Sequence, residues 1–287
     1  MPVASVMHGF MYNKDIFDEL NIKVPETVDE FMAALETIKA DGKYTPLAYG
    51  TADAWNPAIV SYDGVGPTFW EGEKGRWDLI NGDSKMTDPR YTDPWKFLAS
   101  WAPYMPENYE SVTYADGQQL FLQGKAAIRP SGSWEITIFD GKTDFEVGAF
   151  PPPKLTKDGK CYVNDWIDMA FAINAVTKYP DEAKQMVEWF GSQEFAELYT
   201  NSLPGFFTLS DYKIDVTNPL AKEWLSWRDK CEMTLRLEGQ YLSAGTPNLT
   251  DDLWRLTQQV MNLKITPEEA GVEAQKSLES WYVPPEK

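Results

Sequence analysis

Phe31, Leu35 and Ile38 recur on one face of a helical stretch that Thr27-Val28-Asp29-Glu30 opens with the spacing of a capping box. A shorter amphipathic helix is predicted over Tyr12–Leu20, with Pro25 separating the two. The pattern next predicts a strand over Thr45–Tyr49 and a brief helix over Trp55–Tyr62. A turn-rich stretch follows from Gly64 to Pro94, in which Trp77–Ile80 reads as a strand running into the Asn81-Gly82 turn. Helix returns over Trp95–Tyr104 and Gln118–Gln123, followed by a strand over Gly124–Ile128 and a helix over Gly132–Phe139. Phe145–Phe150 reads as a strand stopped by Pro151-Pro152-Pro153; prolines cannot donate to a sheet ladder, so these form a semi-rigid crossing. Beyond it come a buried strand over Met169–Asn174, helices over Asp181–Phe190 and Glu194–Thr200, and a turn at Pro204-Gly205. Helices over Pro219–Lys230, Asp252–Leu263 and Pro267–Trp281 finish the chain, the last opened by a second capping box, Thr266–Glu269. Strands alternate with helices and no internal repeat intervenes, which is the pattern of an α/β protein.

Charge narrows the function classes. The 287 residues hold 44 acidic against 26 basic side chains, a formal charge of −18, which excludes a general binder of DNA, RNA or anionic lipid. The longest apolar runs, such as Ala170–Ile173, fall far short of the roughly 20 residues that cross a bilayer. Met1–Met11 carries no basic segment followed by an apolar one, so no secretory signal is read within the chain. Cys161 and Cys231 lack a C-x-x-C partner or a neighbouring histidine, so zinc is not expected and a disulfide is allowed but not required.

Catalytic chemistry finds little support. His8 is the single histidine, read as a surface or strand-end residue, so a Ser-His-Asp or Cys-His site would have to use it. No phosphate-binding loop, nucleophile elbow or H-E-x-x-H occurs, and Gly64-Val65-Gly66 lacks the third glycine of a dinucleotide loop, so no cofactor is expected. Glycoside hydrolysis stays open as the alternative, because it asks only for an Asp/Glu pair at the right separation.

Tyr12–Asp15, Pro25–Phe31, Phe121–Ile128, Gly132-Ser133-Trp134, Val147–Pro153 and Ile173–Ser192, taken in that order, resemble carbohydrate-type solute-binding proteins of ABC importers, the maltose-binding-protein-like family. Tyr12-Asn13-Lys14-Asp15 and Pro25–Phe31 resemble that family's first two helix starts, with Val28 where tryptophan is more usual. Phe121–Ile128 followed by Gly132-Ser133-Trp134 resembles its "F-GKAAM … GSW" signature, and Val147–Pro153 its proline-bearing return between lobes. Ile173–Ser192, with Leu203-Pro204 after it, resembles a later helix of the family. The resemblance implies a periplasmic-binding-protein-like, type II fold of two α/β lobes closing on a ligand, without catalysis. Residues 1–165 and 219–287 would form the second lobe, 150–166 the crossing, and 167–211 a remnant of a first lobe that is otherwise incomplete; a truncated, non-binding remnant is a further alternative. It also implies a sugar or oligosaccharide ligand, a membrane permease as partner, a monomer, and a place in the periplasm or on the cell surface as a lipoprotein.

A sugar asks for flat aromatic platforms beside directed polar groups, and 12 Trp, 14 Tyr and 14 Phe supply the platforms. Trp134, after Gly132-Ser133 at a helix start, leads the candidates, with Glu135 adjacent to it or serving only the helix dipole. Asn164, Asp165 and Trp166 put an amide, a carboxylate and a platform on three successive positions just after the crossing. Trp55 in a polar loop, Phe206 after Pro204-Gly205 and Trp254 at a helix start complete the set, while Trp189, Trp224 and Trp227 read as core.

Overall fold

A computed structural model describes residues 1–285. Its spine is β1, Pro2–Asn13, a strand buried on both faces from Val3 onward, as its near-continuous apolar run requires. Asn13 ends the strand and caps α1, Lys14–Glu19, by accepting the Ile16 N–H, so the helix begins later than the pattern predicts. Next come α2, Val28–Asp41, capped by Thr27 as expected, and β2, Thr45–Leu47.

The stretch from Gly64 to Pro94 departs from expectation. After a π-helical segment, Pro57–Tyr62, it forms α3, Asp63–Trp70, α4, Glu73–Ile80, and α5, Pro89–Ala99. Trp77–Ile80 is thus the last turn of α4 rather than a strand; Gly75, Arg76, Leu79 and Ile80 bury one helical face, and the reading by alternation missed that period. Then follow α6, Tyr114–Leu122, β3, Ala126–Gly132, a 3-10 turn over Ser133–Glu135, α7, Ile136–Phe139, and β4, Val147–Phe150. β5 spans Tyr162–Ala170, ahead of the buried strand predicted at Met169–Asn174, where Ile173 is instead exposed. The chain ends through α8, Pro180–Trp189, α9, Gln193–Ser202, β6, Phe207–Thr208, α10, Pro219–Leu225, β7, Glu232–Thr234, α11, Leu249–Met261, and α12, Pro267–Glu279. No helix among the described residues is long and apolar enough to cross a membrane.

The sheet runs β2-β3-β1-β5-β7, with β4 and β6 also on β1. β1 changes partners midway. Its first half pairs antiparallel with β5, ending at Met7↔Asp165, and its second half with β3, beginning at His8↔Gly132. β1 thus passes from one set of partners to the other at Met7–His8, and the chemistry described below gathers at that junction.

Cys161 and Cys231 form a disulfide, one residue ahead of the parallel β5–β7 register Tyr162↔Glu232. The main core joins the second half of β1 to α2, α3, α5, α11 and α12, and a second cluster lies around Met7, Phe121, Trp224 and Trp227. Trp224 and Trp227 are core as expected, but Trp189 is 37% exposed. A small third cluster, Val3, Ala4, Phe190 and Phe195, anchors α8 and α9, whose surroundings leave Val176, Tyr179 and Met186 exposed.

Candidate functional site

Two groups of side chains meet where β1 exchanges partners. The first is aromatic. Gly132 ends β3 opposite His8, and Ser133 ties three segments together: its hydroxyl accepts the Met7 N–H at 3.0 Å and donates to the Gly205 carbonyl. Gly205 has φ +98°, and a Cβ there would collide with the Ser133 carbonyl, so only glycine lets this turn pack against Ser133. Trp134 is half-buried; its Nε1 donates to the Tyr114 hydroxyl at 2.7 Å, and its ring meets His8 edge-on at 5.2 Å. Tyr114 in turn lies 4.7 Å from Trp55. Trp55, Tyr114 and Trp134 therefore form a continuous, partly exposed aromatic surface ending at His8.

The second group is polar. Asn164 on β5 is fully buried; its amide donates to the Asp63 carbonyl at 3.3 Å and its own carbonyl faces His8 Nδ1 at 3.4 Å. Asp165 accepts Arg228 at 2.8 Å, and Arg228 also donates to Ser5. Trp166 is half-buried beneath the Arg236 guanidinium, 4.8 Å from the ring centroid. Arg236, Leu237 and Glu238 reach this junction on a loop that α4 holds from behind. Arg76 donates to the carbonyls of Arg236 and Gly239, while Glu73 accepts the Leu235 N–H and the Thr234 hydroxyl. The Leu237 N–H completes the hold by donating to Asp63 at 3.3 Å.

This polar group is only partly satisfied. His8 Nε2, Asn164 Oδ1, Asp165 Oδ1 and Arg236 Nε have no hydrogen-bond partner among the described residues, while the buried carboxyl groups of Asp63 and Glu238 bond to each other. An isolated group of this kind costs about 1–3 kcal/mol. Burial, and then Arg236, push the His8 imidazole down to about 3, with the Asn164 carbonyl pulling back. Burial, and then the charge of Glu238, push the Asp63 carboxyl well above the carboxylate range, and burial raises Glu238 as well.

The predicted residues divide accordingly. Trp134 and Trp55 belong to the aromatic group, Asn164, Asp165 and Trp166 to the polar one, and Phe206 follows Gly205 with its ring 6.5 Å from Tyr199. Glu135 is fully buried and committed elsewhere: it pairs with Arg129 at 2.8 Å and accepts from Gln118 and Ser131. Trp254, on α11, packs on the rim of the main core, and no ring contact or hydrogen bond among the described residues joins it to the others. His8, read as a surface or strand-end residue, sits fully buried inside β1. Sequence reading also passed over Asp63, Tyr114, Arg236 and Glu238. A lone histidine inside the apolar run Val3–Met11 was the available signal for the first of these omissions, since a strand buried on both faces admits a polar side chain only for a reason.

Residues 1–197 match the model of a family described as bacterial extracellular solute-binding protein. The chain belongs to that family. Among its solute-binding relatives, the multiple sugar-binding protein of Streptococcus mutans is 30% identical over 209 residues, covering 69% of this chain and 48% of its own length. The chain spans about half the length of such curated relatives. A solved structure titled chitin oligosaccharide binding protein superposes with a TM-score of 0.85 at 21% identity, covering 98% of this chain and 70% of that one. RafE, solved in complex with raffinose, gives 0.77 at 26% identity over 97% of this chain and 72% of its own. The fold is accordingly the α/β, periplasmic-binding-protein type that the element pattern and motifs anticipated, and family membership puts the protein outside the cytoplasm.

Proposed function

We propose that this solute-binding chain binds a sugar or oligosaccharide at the β1 junction and serves an ABC importer by presenting that ligand to its membrane permease. The observation that carries the reading is the half-exposed aromatic surface of Trp55, Tyr114 and Trp134 standing beside the polar group on β5 and its loop. The half-buried Asp165 and Arg236 offer directed polar groups to ligand hydroxyls, while Trp134, Trp166 and Trp55 cover the apolar ring faces. Phe206 and Asp165 flank this contact, and Trp254 and Glu135 act from outside it, the first at the rim and the second through its neighbour Trp134. The relatives named for multiple sugars, chitin oligosaccharide and raffinose support the same ligand class.

In this reading residues 1–165 and 219–287 form one lobe, 150–166 the crossing, and 167–211 part of the other lobe. The apolar side chains that 167–211 exposes, Val176, Tyr179, Met186 and Leu198 among them, would pack against further structure of that lobe. The protein works as a monomer, in the periplasm or held to the cell surface as a lipoprotein.

A thermal-shift screen against raffinose, maltotriose, xylotriose and chitotriose tests the proposal. Binding to the native state alone stabilises by about 2.7 kcal/mol at a hundredfold excess over Kd, and Trp166→Ala should remove most of the shift. Unmoved melting points with every sugar tried would remove the carbohydrate reading, and steady release of the aryl group from an aryl glycoside would put the hydrolase in its place.

A further inference from the structure

Arg236 stands apart from the other arginines. The sequence holds 6 of them, and 5 pair with a carboxylate: Arg76 with Glu73 at 3.1 Å, Arg90 with Asp78 at 2.6 Å, Arg129 with Glu135 at 2.8 Å, Arg228 with Asp165 at 2.8 Å, and Arg255 with Glu273 at 2.8 Å. Among the described residues the Arg236 side chain makes no ion pair and no hydrogen bond, and its Nε is buried without a partner. Its place is nevertheless fixed. The guanidinium lies over the half-buried Trp166 ring at 4.8 Å, and the loop that carries it is held by Arg76, which donates to the Arg236 and Gly239 carbonyls. Trp166 packs so closely on Gly239 that a Cβ there would stand 2.7 Å from its ring, so one loop sets both ring and guanidinium. An indole beneath a guanidinium attracts it and limits how it can turn. With Nε sealed, the two terminal amino groups are the edge left to bind, and that edge matches the two oxygens of a carboxylate. The neighbouring carboxyl groups are already engaged, Asp165 with Arg228, and Asp63 with Glu238.

Resting on the carbohydrate reading above, we propose that Arg236 is a specificity-determining residue that receives the carboxylate of an acidic sugar, so that the site prefers a uronate to its neutral counterpart. The pairing is one to one. A single guanidinium balances a single carboxylate, whereas a phosphate monoester brings about two negative charges into a chain whose formal charge is −18.

Isothermal titration at pH 7 tests this by comparing glucuronate with glucose, galacturonate with galactose and cellobiouronate with cellobiose, with galactose 6-phosphate as a second anion. The expected result is that the uronate of a pair binds more tightly by on the order of tenfold, less so as salt is added, and that the phosphate binds more weakly than galacturonate. Arg236→Gln should bring the two members of each pair to similar affinity, and Arg236→Lys, which keeps the charge without the fork, should retain part of the preference; thermal unfolding checks that both variants are folded. Were Arg236 only to offset the charge of Asp63 and Glu238, its replacement would lower stability and weaken both members of a pair alike. Uronates binding no tighter than their counterparts, the phosphate matching galacturonate, or a preference that survives in folded Arg236→Gln would overturn the inference while leaving the carbohydrate reading intact. If neither uronates nor neutral sugars bind, both fall together.

Discussion

Replacing His8 by glutamine is expected to flatten the acid side of the stability curve. The imidazole is fully buried and neutral, its pKa pushed down to about 3, whereas in the unfolded chain it titrates near 6.5. A group depressed on folding gives its full stability above the unfolded value and loses it as pH falls toward the folded one. The slope approaches about 1.4 kcal/mol per pH unit below pH 6, so His8 alone removes about 2 kcal/mol between pH 6.5 and pH 4.5. Asp63 and Glu238 act with the opposite sign: raised by burial, they contribute fully below about pH 4 and lose that contribution as pH rises through their folded values. The comparison therefore has to be wild type against His8→Gln, in urea midpoints taken every half unit. Because the chain has 1 histidine, the difference between the two curves over this window belongs to it. Parallel curves would mean that His8 titrates alike in both states and is not sealed inside β1.

Arg129→Met should destabilise the protein by about 3–5 kcal/mol. Arg129 and Glu135 are both fully buried, bonded at 2.8 and 3.1 Å, and the guanidinium also donates to the Ala48 carbonyl at 2.8 Å. Burial pushes the Glu135 carboxyl up, but attraction to Arg129 and hydrogen bonds from Arg129 and Ser131 outweigh it and leave it below its ordinary value. Removing the cation strands that charge in the interior. Adding Glu135→Leu should recover most of the loss, since replacing both members of a buried pair by apolar groups of similar volume is close to neutral. Equilibrium denaturation of the single and double variants measures this, and a single-variant cost below about 1 kcal/mol would mean that water reaches the pair. The aromatic surface depends on the same pair, because Tyr114, which holds Trp134, lies 4.7 Å above the Arg129 guanidinium.

The sequence carried the class of fold and one side of the site. Local signals with a mechanism were reliable: Thr27 and Thr266 cap their helices, and the Thr266–Glu269 box forms as written. Alternation over a few residues was not, because Trp77–Ile80 satisfies a strand pattern and a helix turn equally, and only burial of Gly75, Arg76, Leu79 and Ile80 decides between them. Platforms were legible because tryptophan after a glycine turn is conspicuous, as at Trp134. The polar half was hidden by distance along the chain. Asp63, Arg236 and Glu238 come together through the Leu237 N–H and the Arg76 clamp, contacts that no local pattern encodes. Glu135 was misjudged for the converse reason: its partner lies six residues back on β3, and the ion pair consumes the carboxylate that seemed available.

The disulfide gives the molecule a covalent ring. Cys161 and Cys231 lie 70 positions apart, and the loop they close contains the whole of 171–212, with Val176 at 84% and Tyr179 at 66% exposure. Exposed connections of that kind are where a protease cuts first. A nick there would open the ring without releasing either piece, so the cleaved protein should migrate as one band without reductant and as two with it. Residues before Cys161, which include β1 and the aromatic surface, and residues after Cys231, which include Arg236 and Glu238, would stay tethered through the cut. Binding by the nicked protein would then report how far the site depends on an unbroken 171–212 segment.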